Sequence, residues 1–291
     1  MALLFWSGSD LFSKMGSKSD DKYSHWKMVM AVGTVMGIHA IVNLCTGSDF
    51  KPQDMITYLP ASFFYIASMT LGYVGLRYIM LSVSSPICNS SGAVACIMFL
   101  IFMKETMELP QAVAVVMICV AVFLLAVIEK KQDDAERREK GEKPDGKYTH
   151  SFWAIFLPIM YCILDALGTY ADGLILDKYL SEDAGNTAYE LTFLVMAVVS
   201  FIYVRVVRGE KIFIRREKPK IAAAVCETVG QFGYVYAIAA NAVVAAPMIS
   251  AYCMVSLLWA RVILKEKLLK SQYIVIAMAI AGIIILGIYD V

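Results

Sequence analysis

Acidic side chains stand inside strongly apolar segments of this sequence. They are Asp10, Asp165, Asp172 and Glu227. An ionisable group in the middle of a lipid bilayer carries a large free-energy cost unless it faces a cavity or a partner. These carboxylates are therefore candidates to bind a cationic or zwitterionic solute, or to take up a proton that drives its transport. The alternative is a structural role, in an ion pair such as Asp10 with Lys14 or near a helix end.

Helical spacing places other polar residues on the same faces as three of these acids. Residues at i, i+4 and i+7 lie on one face of an α-helix. Aromatic rings beside a carboxylate would add cation–π attraction for an amine. The two faces consist of Asp165, Thr169 and Asp172, and of Glu227, Gln231 and Tyr234, and the further aromatic candidates include Trp6, Tyr73, Tyr161, Tyr252 and Trp259.

The composition identifies lipid as the solvent for most of the chain. Of its 291 residues, 59% are hydrophobic and 18% are charged, and the mean hydropathy is +0.64. A water-soluble protein of this length could not bury so many apolar side chains in its cores. The composition also excludes a disordered chain. A net charge of +1 excludes a strongly basic nucleic-acid-binding protein.

The cysteines and histidines do not form a metal-binding pattern. The seven cysteines contain no CxxC pair, and nearly all lie in apolar runs, where they are expected to pack as small hydrophobic residues. The three histidines are scattered, and His39 is expected to be a packed residue rather than a proton relay. The sequence therefore predicts neither a metal site nor a cofactor.

Ten apolar segments predict an all-α integral membrane protein with ten transmembrane helices. A helix needs about 20 mostly apolar residues to cross a bilayer. The charged residues 129–150, between the fifth and sixth segments, are predicted to form a solvated linker. The predicted spans are Met1–Met15, Trp26–Leu44, Ile56–Ile79, Pro86–Met103, Pro110–Ile128, Phe152–Ile175, Tyr189–Val207, Ile221–Ala240, Pro247–Leu264 and Gln272–Tyr289.

An internal repeat relates the two halves of the chain. A shift of 161 residues aligns Gly72–Glu129 with Gly233–Asp290 without gaps. A proline tends to open a helix, so the aligned prolines are predicted to begin spans four and nine. In the same register, a Lys-Glu pair followed by Gln is predicted to mark the hairpins into spans five and ten. The matching positions include Pro86 and Pro247, Lys104 and Lys265, and Gln111 and Gln272.

The repeat predicts how the halves insert. Each half, residues 1–128 and residues 151–291, holds five spans, so the second half is predicted to enter the membrane inverted relative to the first. Inverted repeats are typical of transporters whose substrate site lies near the middle of the membrane. Glu227 is the strongest single candidate, because its counterpart in the first repeat is Ile66. Most Lys and Arg residues lie in the connections after odd-numbered spans, which predicts that those connections are cytoplasmic and both termini outside.

Several motifs resemble those of the drug/metabolite transporter superfamily, in its two-repeat EamA-type branch. The resemblance implies a ten-helix transporter with a central cavity for small metabolites, drugs or amino acids. The segments that carry it are WSGSDLFSK at 6–14, LRYIMLSVSSP at 76–86, KETMELPQ at 104–111, YAIAANAVVAAP at 236–247 and LKEKLLKSQ at 264–272.

The acids and aromatic residues favour transport of a small amine-bearing metabolite, with a proton or another cation as a candidate coupling ion. Arg77 or Arg261, if it faced the cavity, would favour an anionic substrate, and an integral membrane enzyme is a weaker alternative. Gly33 and Gly37 form a GxxxG pair that is expected to allow close helix contact within the fold. The protein is expected to be a monomer or a weak dimer.

Overall fold

The computed structural model of the chain is built from helices. It describes residues 1–16, 21, 23–78, 90–104, 106–139, 152–212, 214–263, 265 and 268–289, and the regular elements within these ranges are all helical. The helices are α1 (Ala2–Gly16), α2 (Ser24–Thr46), α3 (Asp54–Tyr78), α4 (Ser91–Met98), α5 (Leu109–Glu139), α6 (Phe152–Lys178), α7 (Glu182–Phe201), α8 (Lys218–Ser250), α9 (Tyr252–Ile263) and α10 (Lys270–Tyr289). Helices α4 and α7 continue as π-helical turns, Phe99–Met103 and Ile202–Val207, and a 3₁₀ turn, Ile214–Arg216, precedes α8.

The protein is an integral, multi-pass membrane protein. Within the described residues, six stretches are long and apolar enough to cross a bilayer. Large aliphatic side chains point outward along them: on α10, Ile274 is 70% exposed and Ile288 is 62% exposed. Such surfaces are unfavourable in water but suit contact with lipid chains. The arrangement of ten spans as two inverted repeats stays a prediction.

The chain forms two compact units that each draw on both halves of the sequence. Unit 1 comprises Met1–Ser62, Asp172–Ala240 and Leu258–Lys265. Unit 2 comprises Phe63–Ala171, Asn241–Leu257 and Glu266–Val291. The predicted division into residues 1–128, 129–150 and 151–291 describes a repeat in the sequence rather than these units, and it stays a prediction.

The predicted start of span nine is wrong. Pro247 lies inside α8, and the helical backbone breaks at Asn241, where φ is −160° and ψ is 88°. The Asn241 side-chain oxygen accepts a hydrogen bond from the Val244 backbone N–H at 3.3 Å. An asparagine that caps the first free N–H groups of a helix is a stronger start signal than a proline deeper in the segment. The matching Pro86 lies outside the described residues.

The predicted linker begins as helix. Helix α5 continues through Glu129 to Glu139, and residues 140–150 lie outside the described part of the chain. The sequence EKKQDDAERRE consists mainly of strong helix formers, so it extends the preceding helix even though it is highly charged.

The two hairpins of the repeat have the same local geometry. Lys104 and Lys265 both adopt the left-handed conformation, with φ of 56° and 57°. Seven residues further on, the Gln111 side-chain oxygen accepts the Glu108 N–H at 2.9 Å, and the Gln272 oxygen accepts the Leu269 N–H at 2.7 Å. The Lys and Gln identities in the alignment therefore correspond to one turn structure that occurs twice, 161 residues apart.

In unit 1, α2 packs antiparallel against α7 through glycines. A Cβ atom at Gly33 would lie 2.1 Å from the Phe193 carbonyl oxygen, and one at Gly37 would lie 2.5 Å from the Leu194 side chain. Near the other end of α2, Asn43 bonds to Thr187 close to the start of α7. The GxxxG pair thus makes a contact within the fold, as predicted.

In unit 2, α5 packs antiparallel against α10. The Gln111 amide at the start of α5 donates to the Tyr289 carbonyl at the end of α10, at 3.1 Å. A Cβ atom at Gly282 would lie 2.8 Å from the Ile118 side chain. The second and seventh predicted spans, like the fifth and tenth, are counterparts in the repeat.

Four charged side chains, of which Lys27, Glu217 and Lys220 are buried and Asp21 is partly exposed, join the start of α2 to the start of α8 in unit 1. The Lys27 ammonium lies 2.9 Å from Asp21 and 3.9 Å from Glu217. The Lys220 ammonium lies 2.5 Å from Glu217 and 3.8 Å from Asp21. Two positive and two negative groups balance, so the buried side chains carry no uncompensated charge.

Replacing Gly33 with alanine is expected to destabilise the α2–α7 pair by about 1–3 kcal/mol, because the new methyl group would overlap backbone atoms of α7. The measurement is the thermal unfolding temperature of the purified protein in detergent. Gly287→Ala on α10 is the matched control, since a Cβ atom there meets nothing within 4 Å. Equal unfolding temperatures for Gly33→Ala and the wild type would contradict the packing described.

Candidate functional site

The predicted site residues divide between the two units. Trp6, Asp10, Asp172, Glu227, Gln231, Tyr234 and Trp259 belong to unit 1, and Tyr73, Tyr161, Asp165 and Tyr252 belong to unit 2. Tyr73 lies in the helical backbone of α3, but its side chain falls outside the described part of the structure.

Helix α1 lies against α8 in unit 1, and small residues allow the approach. A Cβ atom at Gly8 would lie 3.3 Å from the Cys226 sulfur, and one at Gly230 would lie 2.3 Å from the Trp6 ring. The Trp6 ring in turn packs on Tyr234, with ring centroids 5.0 Å apart. The absence of a side chain at Gly230 therefore lets the indole lie directly on the face of α8 that carries Gln231 and Tyr234.

Two serines of α1 hydrogen-bond to side chains on α9 and α8. The Trp259 indole N–H donates to the Ser7 hydroxyl at 2.9 Å. The Ser9 side chain hydrogen-bonds to the Glu227 carboxylate, and Asp10 is close enough to Glu227 for their charges to repel. We refer to Trp6, Asp10, Glu227, Gln231, Tyr234 and Trp259 as the α1–α8 cluster.

The Gln231 amide is a buried donor in this cluster. The residue is 2% exposed, and its side-chain nitrogen has no hydrogen-bond partner among the described residues. A buried polar atom without a partner is uncommon, because it loses its bonds to water without replacement. An acceptor oxygen on a bound solute would satisfy it.

Asp172 has a structural contact in unit 1. The Tyr58 hydroxyl donates to its carboxylate at 2.6 Å, and neither residue is exposed. The contact joins α3 to α6 and provides a buried carboxylate with a strong donor. Sequence reasoning missed Tyr58, which looks like any other aromatic residue of an apolar span.

Asp165 and Thr169 make further contacts between α3 and α6 in unit 2. The Ser68 hydroxyl donates to Asp165 at 3.3 Å, and the Tyr65 hydroxyl lies 3.3 Å from the Thr169 hydroxyl. The Ser91 side chain also hydrogen-bonds to Asp165. The predicted polar face of span six is thus occupied by partners from other helices.

Unit 2 also contains a small cavity of about 20 Å³, and none of the predicted site residues lines it. Its walls are formed by Ser90, Ala93, Cys119, Val122, Pro247 and Ser250.

A second polar group in unit 1 was not predicted. His39 on α2 lies 2.8 Å from both carboxylate oxygens of Glu190 on α7, which is fully buried. Asp183, Thr187 and Glu190 have the same i, i+4, i+7 spacing that identified the other acidic faces. Sequence analysis missed this face because the predicted span began at Tyr189, so Asp183 and Thr187 lay outside it.

The charges and aromatic rings of the α1–α8 cluster determine which chemical groups it could attract. Carboxylates beside indole and phenol rings attract an ammonium group, and the Gln231 amide offers a donor to an oxygen. Among the described residues, no three His, Cys, Asp or Glu side chains lie together in a way that could hold a metal ion.

Comparisons with known proteins agree with the membrane architecture. Residues 1–127 match the EamA-like transporter family, which confirms the resemblance to the drug/metabolite transporter superfamily over that part of the chain. No curated protein matches the sequence significantly. A protein of known crystal structure has a similar fold, with a TM-score of 0.72 and 10% sequence identity over 99% of this chain and 94% of that one.

Gly230→Ala is expected to displace the Trp6 ring, because the added methyl group would occupy its position. The tryptophan emission spectrum of the purified protein should shift relative to that of the wild type. The same substitution in a Trp6→Phe background is the control and should leave the remaining emission unchanged. A spectrum of Gly230→Ala that matches the wild type would contradict the contact.

Proposed function

We propose that this protein, whose residues 1–127 match the EamA-like transporter family, is a secondary transporter for a small amine-bearing metabolite. It moves its substrate across the membrane by alternating access, in which the site opens to each side in turn. The observation that carries the proposal is the α1–α8 cluster, in which carboxylates and aromatic rings lie together on helices of an integral membrane protein.

The cluster matches the chemistry of a cationic or zwitterionic solute. Glu227 and Asp10 provide negative charge for an ammonium group. Trp6 and Tyr234 provide aromatic faces, whose attraction for a cation increases when water is excluded. The buried Gln231 amide would donate to a hydroxyl or carboxylate oxygen of the same solute. A substrate with an amine and an acceptor oxygen could therefore interact with the carboxylates, the aromatic rings and the Gln231 amide at once.

Antiparallel packing of repeat counterparts supports the transport mechanism. Helices α2 and α7 are antiparallel in unit 1, and α5 and α10 are antiparallel in unit 2. An inverted repeat gives a protein two alternative conformations of similar energy, one open to each side. A solute that binds in both can pass between them without an ATP-hydrolysing domain.

A panel of small solutes should identify the substrate class by thermal stabilisation. Ligands bind the folded state, and a ligand at about 100 times its Kd stabilises a protein by about 2.7 kcal/mol. We expect primary or quaternary amines to raise the unfolding temperature, and sugars and nucleosides to leave it unchanged. Stabilisation by anions alone would contradict the amine proposal and would favour a role for Arg77 or Arg261.

Glu227→Gln is expected to lower uptake of the stabilising amine into liposomes by roughly 10- to 100-fold, the effect of losing one charge-assisted contact. The variant should still fold, since glutamine has the same shape and can still bond to Ser9. Asp177→Asn, at an exposed carboxylate in the last turn of α6, is the matched control and should transport normally. Uptake by Glu227→Gln at the wild-type rate would remove the assigned role.

A further inference from the structure

A row of polar side chains lies between α2 and α7 in unit 1. The Ser48 hydroxyl donates to the Asp183 carboxylate at 2.6 Å, beside the start of α7. One turn further along, the Asn43 amide donates both to Asp183 and to the Thr187 hydroxyl, the latter at 2.9 Å. The row ends at His39 and Glu190. Glu190 is seven residues from Asp183, and seven residues of α-helix rise about 10 Å. The row therefore leads from the amino-terminal end of α7 well into its apolar part.

His39 and Glu190 are two titratable side chains in close contact, and they can share a single exchangeable proton. The His39 Nδ1 atom is 2.8 Å from each carboxylate oxygen of Glu190. The Glu190 side chain is fully buried, whereas 40% of the His39 side chain is exposed. When histidine is neutral and glutamate ionised, the pair carries one negative charge. One proton added to either group makes the pair neutral overall, and burial favours the neutral form.

Three helices contribute the described residues around the pair. On its own helix, Glu190 is near Asp183 and Asn186. Helix α2 contributes His39 itself and, one turn away, Asn43. Helix α8 contributes the Phe232 ring, which lies edge-on to the His39 ring at 6.0 Å, and this ring packs on Tyr236 at 4.8 Å. Among the described residues, His39 is the basic group that the structure pairs with Glu190.

The pair is connected to the α1–α8 cluster through α8. Phe232, which contacts the His39 ring, directly follows Gln231 in the chain. A change in the charge and position of His39 would therefore act on the helix that carries Glu227, Gln231 and Tyr234. In this way a proton on one pair of helices can alter the affinity of a site on another.

We propose that the His39–Glu190 pair binds the proton that drives transport, at the inner end of a row of polar groups that includes Asp183, Asn43 and Thr187. The inference rests on the proposed transport function, but it places the coupling proton away from Glu227, which binds the substrate. The row of polar groups begins at the 47–53 and 179–181 connections, which the Lys and Arg distribution predicts to be outside. The proton would then enter from the outer side.

The first experiment measures proton binding without a transported solute. Infrared difference spectra of the purified protein are recorded between about pH 5 and 8, the range in which histidine changes charge. They follow the carbonyl band of protonated carboxyl groups and the ring bands of histidine. We expect wild-type bands that are missing in Glu190→Gln and altered in His39→Gln. A titration that is the same in wild type and Glu190→Gln would overturn the proposal.

The second experiment measures coupling, with choline as the probe. Choline carries a permanent charge, so a pH gradient does not change its own ionisation. Proteoliposomes are compared for choline accumulation driven by a pH gradient and for choline exchange without one. The ratio of the two rates is expected to fall at least about fivefold in Glu190→Gln. An unchanged ratio would overturn the coupling role.

Glu182→Gln is the matched control, because it removes a carboxylate from the first turn of the same helix but outside the polar row. Its titration and its transport ratio should equal those of the wild type, and a loss equal to that of Glu190→Gln would overturn the assignment to Glu190. Absence of choline flux in the wild type would count against the proposed amine transport. The infrared titration would then still decide whether the pair binds a proton.

Discussion

The cost of leaving a polar group unpaired in lipid governs this structure. In water, a carboxylate at the surface needs no particular neighbour, but in the hydrocarbon it must have a partner, a counter-charge or a solute. The contacts follow this rule: Tyr58 donates to Asp172, Ser68 to Asp165 and Ser9 to Glu227, and His39 pairs with Glu190. Each such contact also joins one helix to another.

The α1–α8 cluster differs from the surroundings of Asp172 because it contains a buried polar atom, the Gln231 amide nitrogen, without a partner among the described residues. Asp172 lies fully buried against a phenol hydroxyl, as expected of a group that holds two helices together. Glu227 instead lies near another acid, Asp10, and one turn along the same helix from Gln231, whose amide nitrogen has no partner among the described residues. A neighbour of the same charge raises the energy of the empty site, and a cation would lower it. In the transporter that we propose, a bound ammonium group would relieve this repulsion.

Sequence patterns predicted the helices and the acidic faces better than the partners of those faces. Hydropathy located α2, α3 and α10 to within a few residues, because lipid exposure requires a long apolar run. Helical spacing placed Glu227, Gln231 and Tyr234 on one face. Spacing along one helix cannot say which helix lies opposite, so the contacts of Tyr58 and Glu190 were missed. The Asn241 break was missed because capping depends on backbone geometry that a hydropathy average does not contain.

The antiparallel packing of α2 and α7 has an electrostatic consequence. The peptide dipoles of an α-helix add up to partial charges at its two ends, positive at the amino end and negative at the carboxyl end. In an antiparallel pair, the positive end of one helix lies beside the negative end of the other. The close approach at Gly33 and Gly37 therefore brings together macrodipoles that attract, and the pair presents almost no net dipole to the electric field across a membrane.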